Sequence, residues 1–584
     1  MSPPGATASD PSEAGGWHRL ARLVGPSDER WGSILLLAVT VGVLSGTSAV
    51  GLRAAVHRVF HALDGMREGA LGPLLPAVGA VLGVAIVTRL FRERPGHGVP
   101  DVIRAVCRDG GRMRRRSVLS RWLGSWVNVS SGGSAGLEGP IVFTGAAIGS
   151  LLGGSSDLDE RRRTVLLGCG VAGGIAAVFN APIAGMIFAI EVVLAEWSAF
   201  SVVPIVMSAV AATEVSRLIL GDMQALGQAT FSMGLPDLFA CAALGALAGL
   251  LSVALVRSTR VVEERSKRFR HDLLAPAACG VLVGLIGIAE PGAIGEGYDV
   301  ARSAIRSELA PGLLLCASLA LAKLVTTSLT IGSGAPGGLF APCLVFGSVA
   351  GVAFGRLLAF VAPAGLPIAS EGSYALAAMA GLLAGVMHAP LTGIFLAMEV
   401  TGGYEAVVPL MIVSVLALVV VRRFEHDSPY TRELAESGDL LRPGTDSRIL
   451  ADVRVRETLD RDSTPIPPDM TLADFTEIVK ESRRNHFPVV DPRSGRYLGM
   501  LELAAVRRLV LDPALSRVTL VGTVMDVASE PLHPDATLAE AMERFDSSGA
   551  WVLPVTEEGR FVGLLSKSTL FDRYRRELVA QVGA

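Results

Sequence analysis

A chain of 584 residues that is 50% hydrophobic and only 18% charged, with a mean hydropathy of +0.49, is too apolar to be a soluble enzyme of ordinary composition. Its formal net charge of -3 argues against a nucleic-acid partner. The six cysteines (Cys107, Cys169, Cys241, Cys279, Cys316 and Cys343) are scattered without CxxC spacing, so neither a disulfide framework nor a zinc site is expected.

The opening MSPPGATASDPSEAGG has no basic segment followed by an apolar core; residues 1–30 read as a polar, disordered cytoplasmic tail and not as a signal peptide. From about Ser33 to Val421, apolar runs such as SILLLAVTVGVLSGTSAV, LLPAVGAVLGVAIVTRLF, LFACAALGALAGLLSVALV and VVPLMIVSVLALVVV are long enough to cross a bilayer. Many runs are interrupted by Gly or Pro, and the 66 glycines suit close helix packing and broken helices in lipid. The basic clusters Arg112 to Arg116 and Arg161 to Arg163 sit in short connections, which the positive-inside rule places in the cytoplasm. Composition changes after Arg422. The chain therefore divides into a membrane domain at 31–435, an acidic, Pro-containing linker at 436–450, and soluble modules at 451–512 and 520–578.

Both parts repeat internally. In the soluble part, PDMTLADF (468–475) answers to PDATLAEA (534–541), and FPVVDPRSGRYLGML (487–501) to LPVTEEGRFVGLL (553–565). Each unit reads as a small α+β module, and a module of this size buries too little surface to stand alone, so the two are expected to pack together. In the membrane part, VFNAPIAGMIFAIEV (178–192) resembles VMHAPLTGIFLAMEV (386–400), and GLEGPIVFTG (136–145) resembles GLFAPCLVFG (338–347). Two copies of a broken-helix unit in the same order suggest a channel or transporter whose site lies where the halves meet.

Three places share one form, glycines followed by a distinctive residue or two, then Pro, then an apolar run: GHGVP (Gly96 to Pro100), GLEGP (Gly136 to Pro140) and GGLFAP (Gly337 to Pro342). Pro suits a first helical turn because its missing N–H would have had no partner there, and Gly permits a sharp bend. Each is a candidate helix N-terminus inside the membrane. Free N–H groups and the positive end of the helix dipole can bind a small anion there, without a fixed cation that would hold it too tightly to leave. Glu138 is itself an anion beside such starts. It can occupy the site and then swing away, or become neutral on protonation, which makes it a candidate gate.

GSAGLEGP, GSGAPGGLFAP, FNAPIAG with its following IEV, and SPYTREL (428–434) together resemble the CLC family of chloride channels and proton-coupled chloride exchangers. The C-terminal pair resembles the CBS modules often attached to that family. The resemblance implies an all-α polytopic membrane domain of two inverted repeats with broken helices, followed by a small α+β domain. It also implies a homodimer in the cytoplasmic membrane of a bacterial cell, with one pore per subunit and both termini in the cytoplasm. On this pattern Glu138 is the gate, and the anion is lined by His97, Gly98, Gly139, Leu339, Phe340 and the hydroxyl of Tyr430. The partners implied are chloride or another small monovalent anion, protons and the lipid bilayer.

Three departures stand out. His97 replaces the family's usual serine, which opens both selectivity and pH response. Leu137 replaces the basic residue that usually precedes the gate. Val192 stands where exchangers commonly carry an internal proton-transfer glutamate, while Glu191 matches the acid just before it. Valine cannot carry a proton, so the residues favour passive anion conduction; the alternative is a proton-coupled exchanger that uses water or another group. The ribose-binding pattern of nucleotide-regulated CBS pairs is not met by SKST (Ser566 to Thr569), so no cofactor is expected, and a structural or dimer-stabilising role stands beside regulation by an adenine nucleotide. Rivals from other classes lack their chemistry. No histidine starts an HExxH motif, no glycine-flanked serine has an evident histidine partner for an intramembrane hydrolase, and Glu138, Glu191 and Glu399 are too separated for one hard-cation cage. The chain is not expected to be an enzyme.

Overall fold

The computed structural model describes residues 30–582 apart from 157, 222–225, 227–230, 232, 270, 311, 362–367, 402–403, 438–439, 441–449, 452 and 529. The chain forms two compact units that divide between Leu440 and Leu441. Among the described residues, eight helices of the first unit are long and apolar enough to cross a bilayer.

Five helices recur in the two halves of this unit. In the first half they are Ser117–Ser130, Glu138–Ser155, Glu160–Phe179, Pro182–Phe188 with its π-helical continuation Ala189–Leu194, and Ala199–Leu220. Their counterparts are Leu313–Gly332, Phe340–Val361, Glu371–Met387, Pro390–Thr401 and Val407–Phe424. The same local chemistry ends the third helix in each half. Asn180 (φ 54°) and His388 (φ 56°) adopt the left-handed conformation that closes a helix, and the Ala-Pro that follows starts the next one with Pro at its first position. Small residues then let the second and third helices of each half touch through their main chains. A Cβ added to Gly170 would lie only 1.9 Å from the Gly145 carbonyl oxygen, and one added to Gly351 only 2.3 Å from that of Tyr374.

The halves are inverted with respect to each other. Glu191, near the end of its helical segment, caps the start of the helix Pro390–Thr401. Its carboxylate accepts from the Leu391 N–H (3.0 Å), the Thr392 N–H (2.8 Å) and the Thr392 hydroxyl (2.7 Å). Glu399, at the matching position of the second half, accepts from the N–H groups of Ile183 (3.0 Å) and Ala184 (2.7 Å) at the start of Pro182–Phe188. Each C-terminal acid thus satisfies the orphan donors of the other helix, which is only achievable if the two run antiparallel. At the corresponding point of the longer helices, Gly136 and Gly338 form an antiparallel bridge, with N–H···O distances of 2.8 and 2.7 Å in the two directions.

In the soluble unit, the repeat PDxTLA sets a helix start twice. Thr471 and Thr537 accept from the N–H groups of Asp474 and Glu540, while the leucine after each threonine is fully buried. Each module then adds one antiparallel hairpin, His486–Val490 with Tyr497–Glu502 and Val552–Glu557 with Arg560–Ser566; both carry a register shift at the same place in the repeat. The modules are tied in two ways. Their hairpin turns pair through Tyr497 N–H to Gly559 O and Phe561 N–H to Gly495 O (both 3.1 Å), with the Tyr497 and Phe561 rings stacked. The segment leading into each module also folds onto the other. Val453 and Val455 enter the core of Leu538, Phe545 and Leu565, and Val521 enters that of Phe475, Phe487 and Leu501. Apolar residues of each lead-in complete a core that one module would leave open.

Candidate functional site

All three glycine–proline helix starts meet at one place. Gly139, in the first turn of Glu138–Ser155, is so close to the other two that an added Cβ would lie 3.0 Å from the His97 carbonyl oxygen and 3.2 Å from the Gly338 Cα. Gly98 caps the helix Val99–Cys107 in the left-handed region (φ 84°), and a side chain there would strike the Phe143 ring at 3.1 Å. The starts at Val99, Glu138 and Phe340 therefore converge from both halves. Their dipoles add at a point that no lysine or arginine needs to occupy.

Glu138 is seated at this convergence and only 1% exposed. Its Oε2 accepts from the Ala341 N–H (3.3 Å), in the first turn of the helix Phe340–Val361, and its Oε1 accepts from the Tyr298 hydroxyl. The carboxylate thus crosses from its own half to the other half's helix start. Among the described residues it forms no ion pair; Arg53, whose charge reaches it, donates instead to the Val178 carbonyl (3.1 Å). The acid is held by neutral donors.

The other residues expected from the sequence fall around it. Phe340 is buried against the rings of Phe179 (centroids 5.2 Å apart) and Phe188 (5.9 Å), and Leu339 is buried beside it in the chain. Tyr430 is buried with its ring 5.2 Å from that of His97. The Nδ1 of His97 is buried and, among the described residues, has no hydrogen-bond partner. Val192 is buried in the π-helical turn Ala189–Leu194, and Glu191 is engaged in the cap described above, so this acid is committed to a helix start.

Two buried cations brace the loops that carry the site. Arg121 donates to the Gly96 carbonyl (2.6 Å), the Arg94 carbonyl and Asp101 (3.2 Å), which fixes the loop before Gly98. Lys323, 1% exposed within an apolar span, donates to the carbonyls of Ala293 (3.3 Å) and Gly295 (2.9 Å), just before Tyr298. Sequence reasoning missed Tyr298, Arg121 and Lys323. Single cations inside apolar runs were the available signal, because a charge in such a run needs a partner. For Tyr298 the segment GEGYD offered only two glycines and two unexplained acids.

Comparison with known proteins agrees with this geometry. The family model described as voltage gated chloride channel matches residues 78–422, and the CBS domain model matches 455–512 and 521–576. The H(+)/Cl(-) exchange transporter ClcA of Vibrio cholerae is 34% identical over 411 residues, covering 66% of this chain and 86% of the relative. The chloride channel protein CLC-f of Arabidopsis thaliana is 27% identical and covers 98% of this chain and 77% of the relative. Among solved structures, a slow cyanobacterial Cl-/H+ antiporter superposes with a TM-score of 0.62 at 24% identity, over 69% of this chain and 97% of that one. A eukaryotic CLC transporter gives 0.60 at 21% identity, over 92% and 98%. Fold and site define a membrane transporter built from inverted repeats, not an enzyme. The chain belongs to the CLC family and carries a C-terminal pair of CBS domains.

Proposed function

We propose that the protein exchanges chloride for protons across the membrane, with Glu138 alternating between the anion site and a protonated, displaced state. One observation carries the reading: the Glu138 carboxylate sits on the start of the helix Phe340–Val361, where an anion would bind, and is held there by neutral donors. Such an acid competes with the anion when charged and yields when protonated. Val192 favoured passive conduction, but relatives named as H(+)/Cl(-) exchangers reach 34% identity, against 27% for the relative named as a channel. These relatives support exchange, with water or another group serving in place of an acid at Val192.

The test is a proteoliposome assay of the full chain. An imposed chloride gradient is expected to drive protons uphill in the opposite direction, in fixed ratio to chloride; chloride movement with no proton movement would establish passive conduction and overturn the reading.

We further propose that His97, Gly98, Gly139, Leu339, Phe340 and Tyr430 line the anion's path. The buried His97 Nδ1, without a partner among the described residues, and the adjoining Tyr430 ring support a side-chain role for His97 in choosing the anion. His97→Ser is expected to change the permeability ratio of nitrate to chloride by a few-fold, about 1 kcal/mol, the scale of one neutral hydrogen bond. An unchanged ratio would assign selectivity to the main chain alone.

The cytoplasmic placement of both ends of the membrane unit is supported by what surrounds them. Ser33, near the start of the helix Arg30–Ala62, lines one cavity of about 1280 Å³ with Arg112, Arg114, Arg162 and Arg163 from the basic clusters. Glu433, beyond the last span, pairs with Arg94 and Arg104 (both 3.1 Å) at the edge of the neighbouring basic cleft. We take the working unit to be a homodimer and the CBS pair to act without a bound nucleotide, as a structural element.

A further inference from the structure

We propose that Tyr298 is a latch on the gate: its hydroxyl, held in place by contacts from both halves of the membrane unit, sets how readily the Glu138 carboxylate leaves the anion site. The proposal rests on the gating role given to Glu138 above.

The geometry separates a fixed donor from a movable acceptor. Tyr298 is the first residue of the helix Tyr298–Ile305 and is 7% exposed. The turn before it is held from two sides. Lys323 donates to the carbonyls of Ala293 and Gly295, Thr326 donates to that of Ala293 (2.9 Å), and the Gly295 N–H donates to the Gly132 carbonyl (3.3 Å). Gly297 turns the chain in the left-handed region (φ 83°), and the Phe179 ring meets the Tyr298 ring edge-on at 6.1 Å. The ring therefore has little freedom, and its hydroxyl is aimed at Glu138 Oε1.

The Ala341 N–H belongs to a helix start and is available to any anion that replaces the carboxylate. The Tyr298 hydroxyl has no such backbone origin, and a phenylalanine would fill the same space without it. Its presence strengthens the seated state of a charged acid by a charge-assisted hydrogen bond. Arg53, from the helix Arg30–Ala62, bears on Glu138 through its charge, and the charge of Glu138 in turn bears on Glu296 and Tyr298, on Cys343 from the helix Phe340–Val361, and on Tyr430. Tyr298 is the member of this set that donates a side-chain hydrogen bond to the carboxylate.

The test is a double-mutant cycle on the purified full chain, with chloride affinity read by titration calorimetry and chloride efflux read from proteoliposomes. Tyr298→Phe keeps the ring and its contact with Phe179 and removes only the hydroxyl. With Glu138 present, it is expected to tighten apparent chloride binding and raise efflux on the order of tenfold, the scale of one hydrogen bond to a charged group. In a Glu138→Ala background the same change is expected to do nothing. Equal shifts in both backgrounds would mean that the hydroxyl acts on the anion or the pore and would overturn the latch, as would no shift in either. If Glu138→Ala alone leaves chloride affinity unchanged, the carboxylate does not compete with the anion, and the gate falls together with the latch.

Discussion

Glu138→Gln is expected to give a transporter that moves chloride faster, moves no protons, and has lost its dependence on pH. Glutamine has the size and shape of the protonated acid but cannot ionise, so it cannot hold the start of Phe340–Val361 as a charged ligand. Losing a charge-assisted seat of this kind is worth roughly 1.5–3 kcal/mol, which corresponds to a tenfold or larger change in how often the site is open to chloride. The sign follows from the chemistry. In the unaltered protein, acidification neutralises the carboxylate and frees the site, so chloride flux rises as pH falls; in the variant the flux is high and flat. Flux measured in proteoliposomes across a range of pH values checks this. A variant that keeps the original pH slope would remove Glu138 from the gate.

The second large effect lies away from the anion. Glu399→Ala leaves the N–H groups of Ile183 and Ala184 without their acceptor at the start of Pro182–Phe188, and Glu191→Ala does the same to Leu391 and Thr392. Unpaired donors at a helix start that no longer meets a negative charge cost about 2–4 kcal/mol for the pair. Either variant is expected to lower the melting temperature in detergent by several degrees, and Glu399→Gln, which retains an acceptor oxygen, by less. The two alanine changes should not add fully, because both loosen the same antiparallel helix pair. An alanine variant that melts with the unaltered protein would show that these carboxylates do not support the fold.

Much of the centre was legible in the sequence because it is built from main-chain chemistry that only Gly and Pro permit. The three glycine–proline breaks marked three helix starts, and the structure brings all three together around Glu138. The repeated Ala-Pro and terminal Glu marked the helices that cap each other. What a linear pattern could not give was their direction. A repeat reads the same whether its copies are parallel or inverted, and only the crossed caps and the Gly136–Gly338 bridge decide it.

Tyr298 was hidden for a related reason. It lies 160 residues from the acid that it touches, at the start of a short helix between the halves. Arg121 and Lys323 were hidden because, Asp101 apart, the partners described for them are carbonyl oxygens, which every residue carries and no composition reveals. The inference from Val192 carried a different weakness. A missing acid removes one route for protons, and it says nothing of the others.

The paired main-chain bonds between Gly136 and Gly338 constrain how transport can occur. They stitch the two halves together one residue before Leu137 and Leu339, beside the converging helix starts. A cycle that swung one half against the other, exposing the centre to each side in turn, would tear this seam at every turnover. Traffic through an unbroken seam must instead be controlled by side chains rotating within a nearly stationary frame.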